Sequence, residues 1–482
     1  MHRRGLVFIV GAVVTAAGFS MLLPAIVALG YGEYGDALAL LGSSGLAVVV
    51  GLIAWRLIGR TGVFSAREGF AAVALSWFAV AAFGSLPYLI SGAIDGPTNA
   101  FFETAAGFST TGSSILPDPS VLGKGLLLWR AQTQWLGGMG IIVLGVAILP
   151  MLGVGGVELA RAESPGHRPD RLTPRFRETA KRLWWVYAAF TGVEAALLTI
   201  GDMSLFEAIA HSFTTMSTGG FGTDSNSLGG FSAYSQWVVV VFMVLAGVSF
   251  ALHFRGLQNP REYPRNSEFR LYIVILGVAS LFILLGTLGG AVADTVREAV
   301  FTAVSLVTTT GYVTADFGQW AVALQIGVVG LMFLGGMAGS TAGSVKTFRL
   351  GVLISAARND LRRIMHPRGV FVARLGKDPV PDSVVESVQS FFLFYILLFG
   401  AGILFFGMIL SQAGSPIDVG TAASAVASAL GNIGPGLGEV GPAGSYLDVP
   451  ASGKWLLSFL MIVGRLEIFP VLLLLTRELW RK

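Results

Sequence analysis

TTTGYVTADF (308–317) is the stretch of sequence that decides the fold, because related strings recur at three other places. These are STTGSS (109–114), MSTGGFG (216–222) and GNIGPGLG (431–438). Each string follows an apolar segment, near 97–110, 204–217, 294–309 and 417–431. Segments of about ten to fifteen residues are too short to cross a bilayer and predict re-entrant half-helices. The central glycines, Gly112, Gly219, Gly311 and Gly434, are unevenly spaced, which suits duplicated units with variable linkers better than a solenoid.

The composition around these strings is that of a membrane protein. The chain of 482 residues is 54% hydrophobic and 12% charged, with a mean hydropathy of +0.72. Soluble domains carry about 25% charged residues. Lipid must therefore solvate most of the apolar surface. We predict ten full crossings, near 5–30, 36–58, 70–92, 125–152, 181–201, 233–254, 269–290, 319–350, 386–411 and 452–476.

Basic residues predict the orientation. With the N-terminus in the cytoplasm, 27 of the 32 lysines and arginines fall in cytoplasmic segments, as the positive-inside rule requires. Ten crossings return the C-terminus to the same side. The apolar run from Leu6 to about Leu29 is longer than the apolar region of a cleaved signal peptide, so we predict a retained first helix.

Several functions are excluded. The chain has no cysteine, which removes disulfides, thiolate metal sites and cysteine nucleophiles. It also has no GxSxG or HExxH motif. We predict neither an enzyme nor a nucleic-acid-binding protein.

The units predict an all-α polytopic membrane protein in which four pseudo-symmetric helix–pore-loop–helix repeats surround one ion pore. Two extra N-terminal helices precede them. The predicted boundaries are 1–68 for the N-terminal helices, then 69–160, 161–262, 263–377 and 378–482 for the repeats.

Physical chemistry limits what the four loops can do. Non-helical backbone at membrane depth survives only inside protein or beside a watery cavity. A ring of backbone carbonyls can replace the hydration shell of a monovalent cation. Half-helices that end at the ring add their partially negative C-termini. No carboxylate lies in the quartets STTG, MSTG, TTTG and GNIG, which argues against a calcium filter.

The strings resemble the Trk/Ktr/HKT superfamily of potassium transporters, and most closely its bacterial TrkH branch. The resemblance covers essentially the whole chain. It rests on WLGGMGI (135–141), MSTGGF (216–221), TTTGY (308–312), GGMAGSTAGSVK (335–346), GNIGPGLG (431–438) and GRLEIFP (464–470). The two N-terminal helices also fit that branch.

The resemblance implies one potassium filter per chain, with potassium as the transported ligand and no covalently bound cofactor. It implies a homodimer in the bacterial cytoplasmic (inner) membrane, and a cytosolic TrkA-type regulatory protein that alone binds nucleotide. The four glycines imply a preference for potassium over sodium, although the fourth string departs from the Ser/Thr-Gly pattern. The filter residues so implied are Thr110, Thr111, Gly112, Ser113, Thr218, Gly219, Gly220, Thr310, Gly311, Tyr312, Asn432, Ile433, Gly434 and Pro435.

A second cluster of glycines predicts a gate. Gly335, Gly336, Gly339 and Gly343, with Ser340 among them, should weaken or break the helix below the filter. The spacing alone equally permits small-residue helix packing. The resemblance favours an intramembrane loop that plugs the pore. Lys346, at its end, lies either near the ion path or at the cytoplasmic surface.

Arg465 lies halfway along the last predicted crossing. A mid-membrane arginine costs roughly 2.5–3.5 kcal/mol on insertion scales and usually faces an interior cavity. In the family it lies under the filter, where it raises the barrier to cations; the alternative is a structural ion pair. Glu467 does not share its helix face, so we expect a partner in the filter loops or in 335–343.

Other charges have two interpretations each. Glu103, Glu207 and Glu298 lie early in half-helices, where they either attract cations or, as we favour, stabilise helix N-termini. Residues that follow the loops are predicted to make the outer mouth electronegative: Asp224, Asp316 and Glu439.

Two functions therefore compete. One is a channel-like potassium uptake pore regulated from the cytosol. The other is an alternating-access cation-coupled secondary transporter with broken helices at the midplane. Passive flux that reverses near the potassium equilibrium potential would favour the first.

Overall fold

The computed structural model of the protein describes residues 3–58, 66–148, 172–288, 292–415 and 417–480, most of which are helical. Six helices in this part of the chain are long and apolar enough to cross a membrane, and a bent pair makes a seventh. The predicted crossing at 125–152 is described as far as residue 148, and the linker that follows it lies outside the described residues up to residue 171.

The N-terminal helices form a pair beside the first unit. The first, Arg3–Ser20, is interrupted at Met21 and continues as Leu22–Gly30, and the chain returns through Tyr34–Ile58. The Glu33 carboxylate accepts hydrogen bonds from the N–H groups of Lys124 (2.7 Å) and Gly125 (2.9 Å). These N–H groups lie at the start of a helix of the first unit and have no partner within it, so Glu33 docks the pair onto that unit.

Each of the four units has a helix, a half-helix, a polar loop and a second helix. The first helices are Ala66–Gly84 (continued by Leu86–Ser91), Leu172–Ile200, Ser267–Gly286 and Asp382–Gln412. The half-helices are Pro97–Phe108, Leu205–Met216, Val292–Val307 and Val419–Gly431, each within two residues of the predicted segment. The second helices are Lys124–Ile148, Ala233–Ala246, Val322–Leu331 and Ala451–Arg465. The predicted all-α architecture is thus confirmed.

Local chemistry starts the half-helices. Pro97 opens the first, where a missing N–H has no cost. Ser204 and Glu207 form a reciprocal capping box at the second, so the helix-stabilising interpretation of Glu207 is confirmed. Asp418 accepts from the N–H of Thr421 (2.7 Å) at the fourth.

Two predicted crossings are wrong as continuous helices, and a third, 319–350, is interrupted at its glycine cluster as predicted. The segment predicted at 233–254 bends by 100° between Ala246 and Phe250. The crossing predicted at 319–350 ends at Leu331, and a helix resumes only at Thr347. The crossing predicted at 452–476 breaks after Arg465.

The breaks meet one another beneath the polar loops. Residues 332–346 form a non-helical segment with a short parallel pair of strands, Leu334–Gly335 with Val345–Lys346. The N–H of Met337 donates to the Gly247 carbonyl at the 100° bend (2.8 Å). The bend after Ala246 and segment 332–346 therefore satisfy each other's exposed backbone groups, as irregular backbone inside a membrane protein requires.

The helix after this segment packs Phe348 and Val352 against Val384 and Val388, and its last turns are exposed. Helix Thr347–Met365 ends in arginines, and a small antiparallel pair, Arg374–Leu375 with Asp378–Pro379, follows. Short helices complete the described chain: Phe250–Gln258, Glu262–Arg265, Phe469–Leu475 and Arg477–Trp480.

Candidate functional site: a ring of four polar strands

The four polar loops share one backbone conformation. We call them loop strands 1 to 4, and they comprise residues 109–114, 217–222, 308–313 and 431–436. In each strand two residues, two positions apart, have positive φ: Thr110 and Gly112, Thr218 and Gly220, Thr309 and Gly311, and Asn432 and Gly434. Threonine rarely adopts a positive φ, so three strands hold a strained residue. Such strain persists only where the surrounding structure enforces it, and it is concentrated at functional sites.

The hydrogen bonds that end the half-helices repeat in the same way. In strand 1, the N–H groups of Thr111 and Gly112 both donate to the Ala106 carbonyl (2.9 and 3.3 Å). In strand 2, the N–H groups of Gly219 and Gly220 both donate to the Thr214 carbonyl (2.8 and 3.3 Å). In strand 3, the corresponding N–H groups both donate to the Ser305 carbonyl. In strand 4, one donates to the Ser428 carbonyl and the other to the Ser428 hydroxyl.

These two patterns correct the predicted equivalence of the glycines. Gly220, with φ +74, matches Gly112, with φ +82, whereas Gly219 occupies the position of Thr111. The centring of the second string on Gly219 is therefore wrong by one residue. The error arose because STGG contains two adjacent glycines and the sequence does not show which has the left-handed conformation.

The strands meet in a closed ring. A Cβ added to Gly112 would collide with the Gly219 carbonyl oxygen of strand 2. In the same way Gly220 faces the Thr310 carbonyl and Gly311 faces the Ile433 carbonyl. A Cβ on Gly434 would lie 2.8 Å from the Thr111 oxygen, which closes the circle.

The ring consists of equivalent carbonyls, those of the residues that precede the four glycines. Only glycine leaves room for the neighbouring carbonyl at these positions, and only glycine adopts the conformation without strain. The four strands therefore surround a single axis.

Polar contacts join strand 4 to strand 1. The Asn432 side-chain N–H donates to the Thr111 hydroxyl (3.0 Å), and the Ser113 hydroxyl donates to the Gly434 carbonyl (2.9 Å). Two buried oxygens, Oγ1 of Thr110 and Oδ1 of Asn432, have no hydrogen-bond partner among the described residues. A buried oxygen without a partner calls for a water or an ion.

Beyond the ring lies a cavity of about 90 Å³, lined by Ser113, Pro435 and the four left-handed glycines among others. Tyr312 lies behind the ring instead. Its hydroxyl donates to the His211 carbonyl (3.1 Å) and contacts the hydroxyl of Thr214 on the second half-helix. The structure thus brings the predicted filter residues together, with Tyr312 as a support.

The non-helical segment 332–346 lies directly against the ring. The N–H of Gly343 donates to the Thr309 hydroxyl of strand 3 (2.7 Å). The Thr341 hydroxyl donates to the Met216 carbonyl at the end of the second half-helix (3.1 Å). A Cβ on Gly343 would collide with the Gly431 carbonyl, so the absence of a side chain at Gly343 lets the segment contact the backbone of strand 4.

The predicted break in the helix is confirmed, and the alternative of small-residue packing between helices does not apply, because 332–346 is not helical. Gly335 and Gly336 pack against Gly343 and Gly247, Gly339 has φ +79, and the buried Ser340 hydroxyl donates to the Met337 carbonyl (2.6 Å).

Arg465 is fully buried beside this segment. Its guanidinium donates to the carbonyls of Thr341 (2.6 Å) and Gly137 (3.3 Å). The expected partner in the glycine-rich segment is thus present. No carboxylate forms a salt bridge with Arg465 among the described residues, so the alternative of a structural ion pair is not supported.

Lys346 is buried rather than cytoplasmic. Its ammonium group donates to the Ser340 carbonyl (3.3 Å) and lies 3.8 Å from the Glu467 carboxylate. Glu467 also pairs with Arg349, which the sequence analysis did not single out. This contact arises because the chain breaks at Glu467 and Ile468, both with positive φ, and turns Glu467 away from the helix of Arg465.

Glu103 has a different role from the one expected. It lies inside its half-helix, 1% exposed, and pairs with Arg130 at 2.6 Å. The helix-terminus interpretation is therefore wrong for Glu103. The signal available was Arg130 itself, one of the few basic residues outside the predicted cytoplasmic segments.

Comparison with known proteins agrees with this geometry. The family model described as TrkH, cation transport protein, matches residues 46–481. The Trk system potassium uptake protein TrkH of Vibrio parahaemolyticus is 38% identical over the full length of both chains, and that of Escherichia coli is 35% identical, also over full length. The crystal structure of the potassium transporter TrkH from Vibrio parahaemolyticus superposes with a TM-score of 0.90, at 36% identity, over 100% of both chains.

The relatives are named as transporters rather than enzymes. The family match spans most of the chain, and the half-helices, strained strands and broken helices have the arrangement of a multi-pass membrane transporter. This chain belongs to the TrkH family of cation transport proteins.

Proposed function

We propose that the protein is a potassium-selective, channel-like uptake pore of the cell membrane. Its full-length relatives are named potassium uptake proteins. The observation that supports the proposal most strongly is the closed ring of the Thr111, Gly219, Thr310 and Ile433 carbonyls. Such a ring replaces the hydration shell of a dehydrated monovalent cation.

The surroundings favour a cation at the ring. The half-helices end at the strands, so their partially negative C-termini are directed at the ion path. The unpartnered oxygens of Thr110 and Asn432 supply further acceptors. With four glycines present, we infer that potassium is preferred over sodium.

Segment 332–346 serves as the gate. It blocks the path beneath the ring, the buried Arg465 places positive charge next to it, and Lys346 at its end adds a second buried positive charge. Positive charge there raises the barrier to a cation. Opening requires two contacts to break: the one between the segment and Thr309, and the one between Thr341 and Arg465.

Regulation comes from the cytosol. The N- and C-termini and the arginine-rich end of Thr347–Met365 lie on the cytoplasmic side of the bacterial inner membrane, by the distribution of basic residues. We infer a homodimer and a TrkA-type regulatory partner on that face, with nucleotide bound to the partner. The competing explanation of the basic segments is topology and contact with anionic lipid.

The test is ion flux in proteoliposomes with a potassium gradient, with rubidium as tracer. The proposal predicts rubidium uptake that greatly exceeds sodium uptake and reverses near the potassium equilibrium potential. Equal flux of both ions, or none even with the regulatory partner, would contradict it. Flux that requires a proton or sodium gradient would favour the coupled transporter.

A further inference from the structure

Gln134 makes two hydrogen bonds to loop strand 2 from a helix of the preceding unit. Its side chain is fully buried on Lys124–Ile148. Nε2 donates to the Gly219 carbonyl (2.7 Å), and Oε1 accepts from the Phe221 N–H (3.1 Å). Gly219 has no side chain, and a Cβ there would collide with this amide. The side-chain amide thus makes the two backbone hydrogen bonds that an adjacent β-strand would otherwise make.

Arg130 holds the same strand one helical turn earlier. Its Nη1 donates to the Gly222 carbonyl (2.8 Å), and the guanidinium lies 3.5 Å from the centre of the Phe221 ring. Residues four apart share a helix face, so Arg130 and Gln134 together span 219–222.

Glu103 completes the arrangement from the first half-helix. Its carboxylate pairs with Arg130 and accepts hydrogen bonds from the Ser114 hydroxyl and the Ile115 N–H (both 2.9 Å). Arg130 lines the cavity beyond the ring, and the adjacent carboxylate neutralises its charge there. A lone arginine at that position would repel cations.

Side-chain support from a second helix distinguishes strand 2 from the other three. Among the described residues, no second helix of units 2 to 4 donates a side-chain hydrogen bond to a loop strand. The Gly219 carbonyl belongs to the ring, so its position sets how closely the ring fits an ion. A carbonyl ring selects by its spacing and its field strength.

We propose that Gln134, Arg130 and Glu103 form a brace that fixes the Gly219 carbonyl in the ring and thereby sets the preference for potassium over sodium. All three are positioning residues, and the inference rests on the proposed function. Without the brace this carbonyl turns toward the smaller sodium ion, and discrimination falls.

The substitution Gln134→Glu tests the brace with almost no change of shape. When the new carboxyl is ionised, it keeps the acceptor for Phe221 and replaces the donor with an oxygen that faces the Gly219 oxygen, so flux is measured at a high pH. We expect the ratio of rubidium to sodium flux to fall about tenfold, as loss of a buried hydrogen-bond partner implies. Gln132→Glu is the matched control, since Gln132 lies on the same helix and donates to the Ser20 carbonyl of the N-terminal pair (2.7 Å).

Charge neutralisation has a separate readout. Glu103→Gln leaves Arg130 positive beside the cavity, so the half-saturating potassium concentration should rise several-fold. Adding Arg130→Gln should bring it back toward the wild-type value. A merely structural role for the pair predicts no such rescue, and a double variant worse than the single one would overturn this part of the proposal.

If the Gln134→Glu protein does not fold, a second variant and a second measurement test the brace. Potassium should protect the purified wild-type protein from thermal unfolding more than sodium does, and Gln134→Met should lose that difference. Wild-type selectivity in either Gln134 variant, or an equal loss in Gln132→Glu, would overturn the brace alone. A wild-type protein without any potassium preference would instead overturn the proposed function, and the brace with it.

Discussion

Replacing Gly112 with serine should reduce the preference for potassium. Gly112 has φ +82, and a Cβ there collides with the Gly219 carbonyl. The left-handed conformation costs a non-glycine residue roughly 1–2 kcal/mol. The strand can relieve this strain by rotating the peptide between residues 111 and 112, which removes the Thr111 carbonyl from the ring. If the strain is expressed fully in selectivity, discrimination falls by about fivefold to thirtyfold.

The assay is the ratio of rubidium to sodium uptake in proteoliposomes, for Gly112→Ser and for Gly92→Ser. Gly92 is a matched control because it also has a left-handed conformation, φ +73, at the end of a helix, but a Cβ there meets nothing within 4 Å. Both variants carry the cost of the left-handed conformation, Gly112→Ser should lose more thermal stability because of the added collision, and only Gly112→Ser should lose selectivity. If Gly112→Ser discriminates as well as Gly92→Ser, the close approach of the strands does not determine selectivity.

Three further outcomes follow from the same contacts. Arg465→Gln removes the positive charge and the hydrogen bond from Nη1 to the Thr341 carbonyl, so potassium leak without the regulatory partner should rise severalfold; unchanged leak would remove Arg465 from the gate. Ser204→Ala breaks the capping box with Glu207 and should cost about 1 kcal/mol of stability, seen as a lower midpoint of thermal unfolding with selectivity unchanged. Burial raises the pKa of the Asp224 carboxyl at the outer cavity, so its negative charge is lost at a higher pH than for an ordinary aspartate. Uptake from a low potassium concentration should fall as the pH drops through the raised pKa of Asp224, and Asp224→Asn should have low uptake at every pH.

The half-helices and the four strands could be predicted because their signals are local. A short apolar segment that ends in a Gly/Thr/Ser string has few stable arrangements at membrane depth. The helix break at the glycine cluster was predictable for a similar reason, since Gly335, Gly336, Gly339 and Gly343 each weaken a helix.

The other breaks depend on tertiary contacts that the sequence does not show. The bend after Ala246 is stabilised by a hydrogen bond to Met337, ninety residues later in the chain. The turn at Glu467 and Ile468 places two non-glycine residues at positive φ, which no local propensity favours. Its stabilising partners, Arg349 and Lys346, come from another unit.

The brace was missed for a related reason. Arg130 and Gln134 lie on a predicted crossing, where polar residues indicate a face turned away from lipid but not the partner they meet. Glu103 was placed near a helix start from its sequence position, although it points sideways to Arg130. Assigning such contacts needs the arrangement of the four units around one axis.

The most direct test of the ring is the density of an electron-rich potassium analogue in an experimental structure of the purified protein. Crystals or grids prepared in rubidium should show a peak on the axis bounded by the carbonyl oxygens of Thr111, Gly219, Thr310 and Ile433, and replacing rubidium with sodium should weaken it. Strands that lie apart, or an axis without any rubidium peak, would contradict the account.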